Sequence, residues 1–232
     1  MLVRHTPRMK SIIIVLILLG AVGSTLASNK ADLDNRIRKL TSRFEALQAK
    51  PDKAIPAETL REAQGIILLD RIKAGFIFAF QGGGGVALVK DPKTEKWSPA
   101  AFLSATEASL GFQIGGQQTF VVILLMNTNA ARMLTDSDIE LGGEARGTAG
   151  NTSSGVEGKL STTERSVIVY DDRNGLYGGA AIKGGSLSPD EKANQVYYEH
   201  YVGLQDILFD KKVAQSDTAA ALVEKIIQHS KK

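Results

Sequence analysis

The chain has 232 residues with 28 Lys+Arg, 25 Asp+Glu, 23 Gly and no Cys. Three of the cations, Arg4, Arg8 and Lys10, fall in the first 27 residues, which carry no acid, so the remainder balances 25 against 25 and has none of the basic excess of a nucleic-acid-binding domain. The missing cysteines exclude disulfides, thiolate metal sites, thiol nucleophiles and a lipid-modified N-terminal Cys.

Residues 1–27 read as a signal peptide. Arg4, Arg8 and Lys10 precede an apolar run from Ser11 to Gly23, and Thr25-Leu26-Ala27 offers small residues for cleavage after Ala27. The apolar run is too short to cross a bilayer comfortably as a helix. An uncleaved anchor is the rival reading. Export to a periplasmic or secreted location follows from the first.

The spacing predicts a helix over 30–49. Leu33, Ile37, Leu40, Phe44 and Leu47 fall within an arc of about 80°. Arg36, Lys39, Arg43 and Lys50 line one flank of that arc. Cations beside an apolar stripe suit a phospholipid surface; they equally suit a helix docked on a core with a solvated flank. Since Arg36 and Arg43 lie outside the arc, reversing both to Glu is expected to leave the melting temperature nearly unchanged. Lys50-Pro51 ends the helix.

Pro56 opens a short helix to about Ala63. Strands are then predicted over Gly65–Ile72, Gly75–Gln81 and Val86–Lys90, a turn at Asp91–Thr94, and a further strand starting at Trp97. Trp97 is expected to be structural, near a sheet edge because of Pro99. Ala108–Ile114 and Thr119–Met126 follow, the second without a polar face and therefore buried on both sides. Asn129–Leu134 is one or two helical turns, Asp138–Gly147 a strand, and Gly147–Gly158 a polar loop. Ser166–Tyr170 and Leu176–Lys183 form a hairpin around an Asn-Gly step. Ser188-Pro189-Asp190-Glu191 reads as a capping box opening a helix to about Tyr201, and a last helix spans about 218–229 with Leu222, Val223, Ile226 and Ile227 inward. Neighbouring strands without βαβ alternation predict an α+β fold: a single curved antiparallel β core, barrel-like or a sandwich, flanked by N- and C-terminal helices.

Catalytic motifs are scarce. Gly82–Gly85 lacks the Lys-Ser/Thr of a P-loop and reads as close strand crossings. His200 is the one histidine placed to serve a triad, and no G-x-S-x-G or H-E-x-x-H stands nearby. Asp171-Asp172-Arg173-Asn174-Gly175 has oxygen ligands but not the EF-hand spacing. The reading is a chain with no catalytic residues, no metal and no cofactor.

From Ile55 onward the chain resembles the SYLF domain family. The resemblance rests on Ile55-Pro56, Ala63–Ile66, Lys73–Phe76 and Gly82–Val86, then on Trp97–Ala100, Gly111–Gln117, Leu141–Gly143, Tyr197-Tyr198 and Asp206–Leu208. With the readings above, the chain divides into a signal peptide (1–27), an N-terminal amphipathic helix and linker (28–54) and a SYLF-like domain (55–232). The resemblance itself covers residues 55 to about 225. It implies lipid binding, with basic sequence on the N-terminal side. Some relatives bind phosphoinositides or actin; for an exported chain actin is an unlikely partner, and anionic phospholipid is the expected one. Arg36, Lys39, Arg43, Lys50 and Lys73 are the expected contacts. A structural or protein-interaction domain of the cell envelope is the alternative, and no oligomeric state is implied.

Overall fold

A computed structural model of the protein describes residues 29–75, 78–110, 115–135, 139–141, 166–172, 175–177 and 185–231, with residues 72–75, 78–82, 106–110, 115–117, 139–141, 175–177 and 185–186 described by their backbone. The predicted signal peptide, the Gly147–Gly158 loop and the strand positions at 76–77, 111–114, 142–147 and 178–183 lie outside the described residues.

Helix α1 spans Lys30–Gln48, with a capping box between Asn29 and Asp32. Leu33, Ile37, Leu40, Phe44 and Leu47 are all buried, as their spacing requires. After α2 (Ala57–Glu62) the chain enters β1 (Gly65–Gly75), β2 (Phe78–Val89), β3 (Ala101–Leu110) and β4 (Gly115–Leu125). A short α3 (Thr128–Arg132) and one 3-10 turn (Met133–Thr135) lead to β5 (Ile139–Leu141). β6 (Val167–Asp171), β7 (Gly175–Tyr177) and β8 (Gly185–Pro189) precede α4 (Glu191–Tyr198), a π-helical turn (Gln205–Phe209) and α5 (Asp217–Ser230).

The strands form one sheet in the order β5-β8-β3-β2-β1-β4-β6-β7, antiparallel at every pairing. The α+β class, the antiparallel core and the flanking helices are therefore as the sequence predicts. The core is a single sheet, and in the described residues it does not close into a barrel. Instead each face carries its own hydrophobic cluster. Ile66, Leu68, Val86, Phe102, Phe120, Val122 and Leu124 pack under α1, α2, α4 and α5. Ile67, Leu69, Ala87, Leu103, Val121, Ile123 and Leu125 pack under α3 and the 202–208 segment. Thr119–Met126 was expected to be buried on both sides; Phe120–Leu125 alternate between the two clusters, residue by residue.

Several boundaries differ from expectation for identifiable reasons. The two strands predicted at Gly75–Gln81 and Val86–Lys90 are one continuous β2. Glycine breaks the apolar alternation in sequence, but Gly83 and Gly85 are in-strand positions where an added Cβ would strike the carbonyl oxygens of Asp70 and Leu68 on β1. Trp97 does not begin β3. It makes one bridge to Lys90, the Ser98 hydroxyl takes the Val89 N–H at 3.0 Å, and Pro99 has no N–H to pair, so the ladder resumes only at Ala101. Trp97 is half-buried and packs on the helical-face cluster, with Lys90 Nζ 5.7 Å from its ring.

The cap of α4 lies two residues later than expected. Asp190, not Ser188, accepts the Ala193 N–H, because Ser188 and Pro189 are still paired in β8. Glu199, with φ 65°, ends that helix before Tyr201. In α5, Leu222 and Ile226 are buried, whereas Ile227 is exposed. Asn194 on α4 is fully buried, and its amide donates to the Phe102 carbonyl at 3.0 Å and accepts the Phe102 N–H at 2.8 Å.

Candidate functional site

The basic flank of α1 meets the sheet along one register row. Ser104 pairs with Gly84, Gly84 with Asp70, and Asp70 with Phe120. Asp172 continues the row, donating its N–H to the Phe120 carbonyl. Asp70 is an acid in an otherwise apolar stretch of β1 and is buried. Leaving a carboxylate there without partners would cost several kcal/mol, about 3–5 by analogy with broken buried pairs. Three side chains supply partners: Arg43 Nη1 at 2.6 Å, Lys39 Nζ at 2.7 Å and Gln118 Nε2 at 2.7 Å.

Arg43 reaches on to Asp172, Nη2 to Oδ2 at 2.8 Å, and stacks over Phe120 with its guanidinium 5.4 Å from the ring. Asp172 in turn accepts the Phe120 N–H at 3.2 Å. Two helical turns earlier, Arg36 pairs with the α4 cap Asp190 at 3.1 Å and lies over Phe102. Gly84 makes the space for it: a Cβ there would sit 3.2 Å from the guanidinium. The three cations thus face three aspartates from β1, the β6–β7 turn and the start of α4. Arg43 and Arg36 are mostly covered; the Lys39 side chain is 56% exposed.

Of the five residues expected to touch lipid, the fold brings Arg36, Lys39 and Arg43 together. Lys50 lies past the end of α1, exposed and without an ion pair among the described residues. Lys73 on β1 is paired through its backbone with Gln81 and Gln117, three positions beyond Asp70 and outside the row that α1 meets. The expectation that reversing Arg36 and Arg43 spares the melting temperature does not fit this geometry. Glutamates there would stand beside Asp70, Asp172 and Asp190. A helical wheel locates the flank but not what the flank meets; the available signal was Asp70, the lone acid in Gly65–Gly75.

The other polar groups serve the fold. Asp172, one of the oxygen ligands noted in the β6–β7 turn, is held by Arg43. His200 is exposed, with Nδ1 2.7 Å from the Tyr198 carbonyl. Among the described residues no three His, Cys, Asp or Glu side chains converge as a metal group. Tyr197 OH bonds Asp34 at 2.8 Å and Ser216 at 2.6 Å, tying α1, α4 and the start of α5 together; burial pushes its hydroxyl up to about 12. Asp91 is drawn down to about 2 by the N–H groups of Lys93 and Thr94 and by Lys211. Elsewhere, a cleft of about 420 Å³ runs between α4 and the 201–205 segment, with Glu191, Gln205 and the 69% exposed Tyr201 among its walls.

Comparison with known proteins matches residues 106–229 to the family described as Ysc84, Las17-binding protein actin regulator. The human SH3 domain-containing YSC84-like protein 1 is 27% identical over 192 residues, and its rat counterpart 28%, in each case over 81% of this chain and 56% of the relative. LAS seventeen-binding protein 3 of Saccharomyces cerevisiae is 28% identical over 151 residues, 63% of this chain and 33% of that protein. The chain therefore spans about half the length of the animal relatives and a third of the yeast one. These names describe binding and regulatory proteins. The family match covers more than half of the chain and includes the motifs at Gly111–Gln117, Leu141–Gly143, Tyr197-Tyr198 and Asp206–Leu208, and the chain belongs to the Ysc84, or SYLF-domain, family.

Proposed function

We propose that this chain is an exported, non-catalytic binding domain that associates with anionic phospholipid surfaces through the basic flank of α1. The observation that carries the reading is the row Arg36, Lys39 and Arg43, held along one register row of the sheet with the Lys39 side chain more than half exposed and Lys50 exposed past the helix end. The apolar arc of α1 is already buried in the core, so the helix contributes charge rather than an inserting face. No described helix is long and apolar enough to cross a membrane, and the association is peripheral.

A second reading has its own support. Asp70, Asp172 and Asp190 already neutralise the row, as suits a docked helix in a protein-interaction domain of the envelope. Co-sedimentation of the chain from Ser28 onward with vesicles separates the two. Vesicles of half phosphatidylglycerol and half phosphatidylcholine should bind it, pure phosphatidylcholine weakly, and binding should fall steeply between 0.1 and 0.5 M salt. Lys39→Gln with Lys50→Gln should lower affinity by about thirtyfold, at about 1 kcal/mol per cation. Absence of vesicle binding, or binding indifferent to charge and salt, decides for the second reading.

A further inference from the structure

The 199–211 segment is framed by two residues with left-handed backbone, Glu199 at φ 65° and Lys211 at φ 52°. Both ends are tied to the body of the fold: Glu199 pairs with Lys30 at 3.3 Å, and Lys211 with Asp91 at 3.1 Å. Between them Val202, Leu204, Ile207 and Leu208 are buried in the hydrophobic cluster on the face away from α1. The cleft of about 420 Å³ lies between this anchored segment and the start of α4. Val202, Leu204 and Pro189 give it an apolar wall, and Ser188, Thr135 and Gln205 add polar groups. A Cβ added at Gly203, in the same wall, would meet no atom within 4 Å.

Charge selects what the cleft can hold. Five acids lie between residues 188 and 210: Asp190, Glu191, Glu199, Asp206 and Asp210. Four are in ion pairs, with Arg36, Lys30 and Lys212. The fifth, Glu191, is the one that lines the cleft, and its carboxylate has no ion pair or hydrogen bond among the described residues. Tyr201 lines the same cleft and is 69% exposed, whereas nearly every other large hydrophobic side chain described is covered. An unpaired carboxylate and an open aromatic ring in one cleft suit a cation. An anion is disfavoured, because the N-terminus of α4 is already taken by the Asp190 carboxylate, which accepts the Ala193 N–H at 3.1 Å, and Glu191 would repel a second acid.

We propose that this cleft is a docking pocket for an arginine side chain of a partner polypeptide, with Glu191 and Tyr201 as the recognising pair. A guanidinium stacks on an aromatic face and pairs with a carboxylate through two parallel hydrogen bonds, and it is more weakly hydrated than an ammonium. Its aliphatic stem suits the apolar wall. A site for a free small molecule would bury most of its ligand. Here Glu191, Tyr201 and Gln205 are all exposed, as fits a side chain entering from a larger surface. The proposal is independent of the lipid association, since none of the α1 cations lines the cleft.

The test titrates acetyl-arginine methylamide into the isotope-labelled protein and follows the backbone amides of Gly203 and Gln205 by NMR. Both should shift saturably at about millimolar concentration, the strength of a single side chain. The citrulline analogue keeps the shape and loses the charge, and should bind at least about tenfold more weakly. Glu191→Gln and Tyr201→Ala should each weaken the arginine probe at least about fivefold. Glu224→Gln, at an exposed acid on α5, should bind as the wild type does. Gly203→Leu places a side chain in open space and should abolish binding with the melting temperature unchanged. The absence of a saturable shift, or equal binding of the citrulline analogue, overturns the proposal. So does a folded Glu191→Gln or Tyr201→Ala protein that binds like the wild type. Free arginine binding more tightly than the capped form would make the cleft a small-molecule site and overturn the docking role.

Discussion

The apolar half of β1 to β4 and the Asp70 row at its end are built on different rules. In the apolar half, successive residues enter two separate hydrophobic clusters, one under α1, α2, α4 and α5 and one under α3 and the 202–208 segment. At the row, the sheet buries a carboxylate that Arg43, Lys39 and Gln118 pair. The strands are continuous through the row, so the change is not a change of secondary structure. One half is held by apolar contact and the row by charge, and the row is the seam at which α1 meets the sheet.

Substitutions can break that contrast or sharpen it. The largest effect is expected in the packed half: Phe44→Ala removes a fully buried ring and should cost about 3–5 kcal/mol in urea denaturation. At the seam, Arg43→Ala leaves Asp70 and Asp172 short of a partner. With the Arg43 side chain 21% exposed, the cost should be about 2 kcal/mol, below that of a fully buried pair. Gly85→Ala and Gly84→Ala separate backbone from side-chain crowding. A Cβ at Gly85 meets the Leu68 carbonyl, which cannot move, and should cost about 1–3 kcal/mol. At Gly84 it meets the end of Arg36, which can swing away at the expense of Asp190, and the loss should be under about 1 kcal/mol.

The helical face should also show an alkaline limit. Tyr197 ionises near 10 in the unfolded chain and at about 12 in the fold, so its contribution is complete below pH 10 and is lost as pH rises toward 12. Thermal melts across that window should fall for the wild type and flatten for Tyr197→Phe; equal slopes would remove Tyr197 from the account.

Much of the packed half was legible in the sequence because its signals are local. The five residues from Leu33 to Leu47 repeat at helical spacing, and the run from Thr119 to Met126 has no polar face; both follow from short-range periodicity. The seam was not legible in the same way. Arg43 pairs with acids 27 and 129 positions away, and no helical wheel records which strand lies beneath a flank. The glycine run hid the continuity of β2, since residues without side chains carry no alternation, although their small size is what lets β1 and β2 stay in register past Asp70. The α4 cap slipped by two residues because the Ser188 cap pattern competes with β8 pairing, and the sheet won.

The amide of Asn194 has a further consequence. Pairing between β3 and β8 runs from Thr106 to Leu103 and stops, which leaves Phe102 at the margin of the ladder. Asn194 presents one donor and one acceptor to the Phe102 backbone, the pattern a neighbouring strand would offer, and the Asp190 N–H adds a second donor. A side chain thus stands in for one residue of a strand that ends too soon, in a place no water can reach. The buried Asn stitches α4 to the sheet by backbone-like hydrogen bonds, and its loss would leave the Phe102 N–H without its acceptor inside the fold, a cost of about 1–3 kcal/mol felt by the single chain.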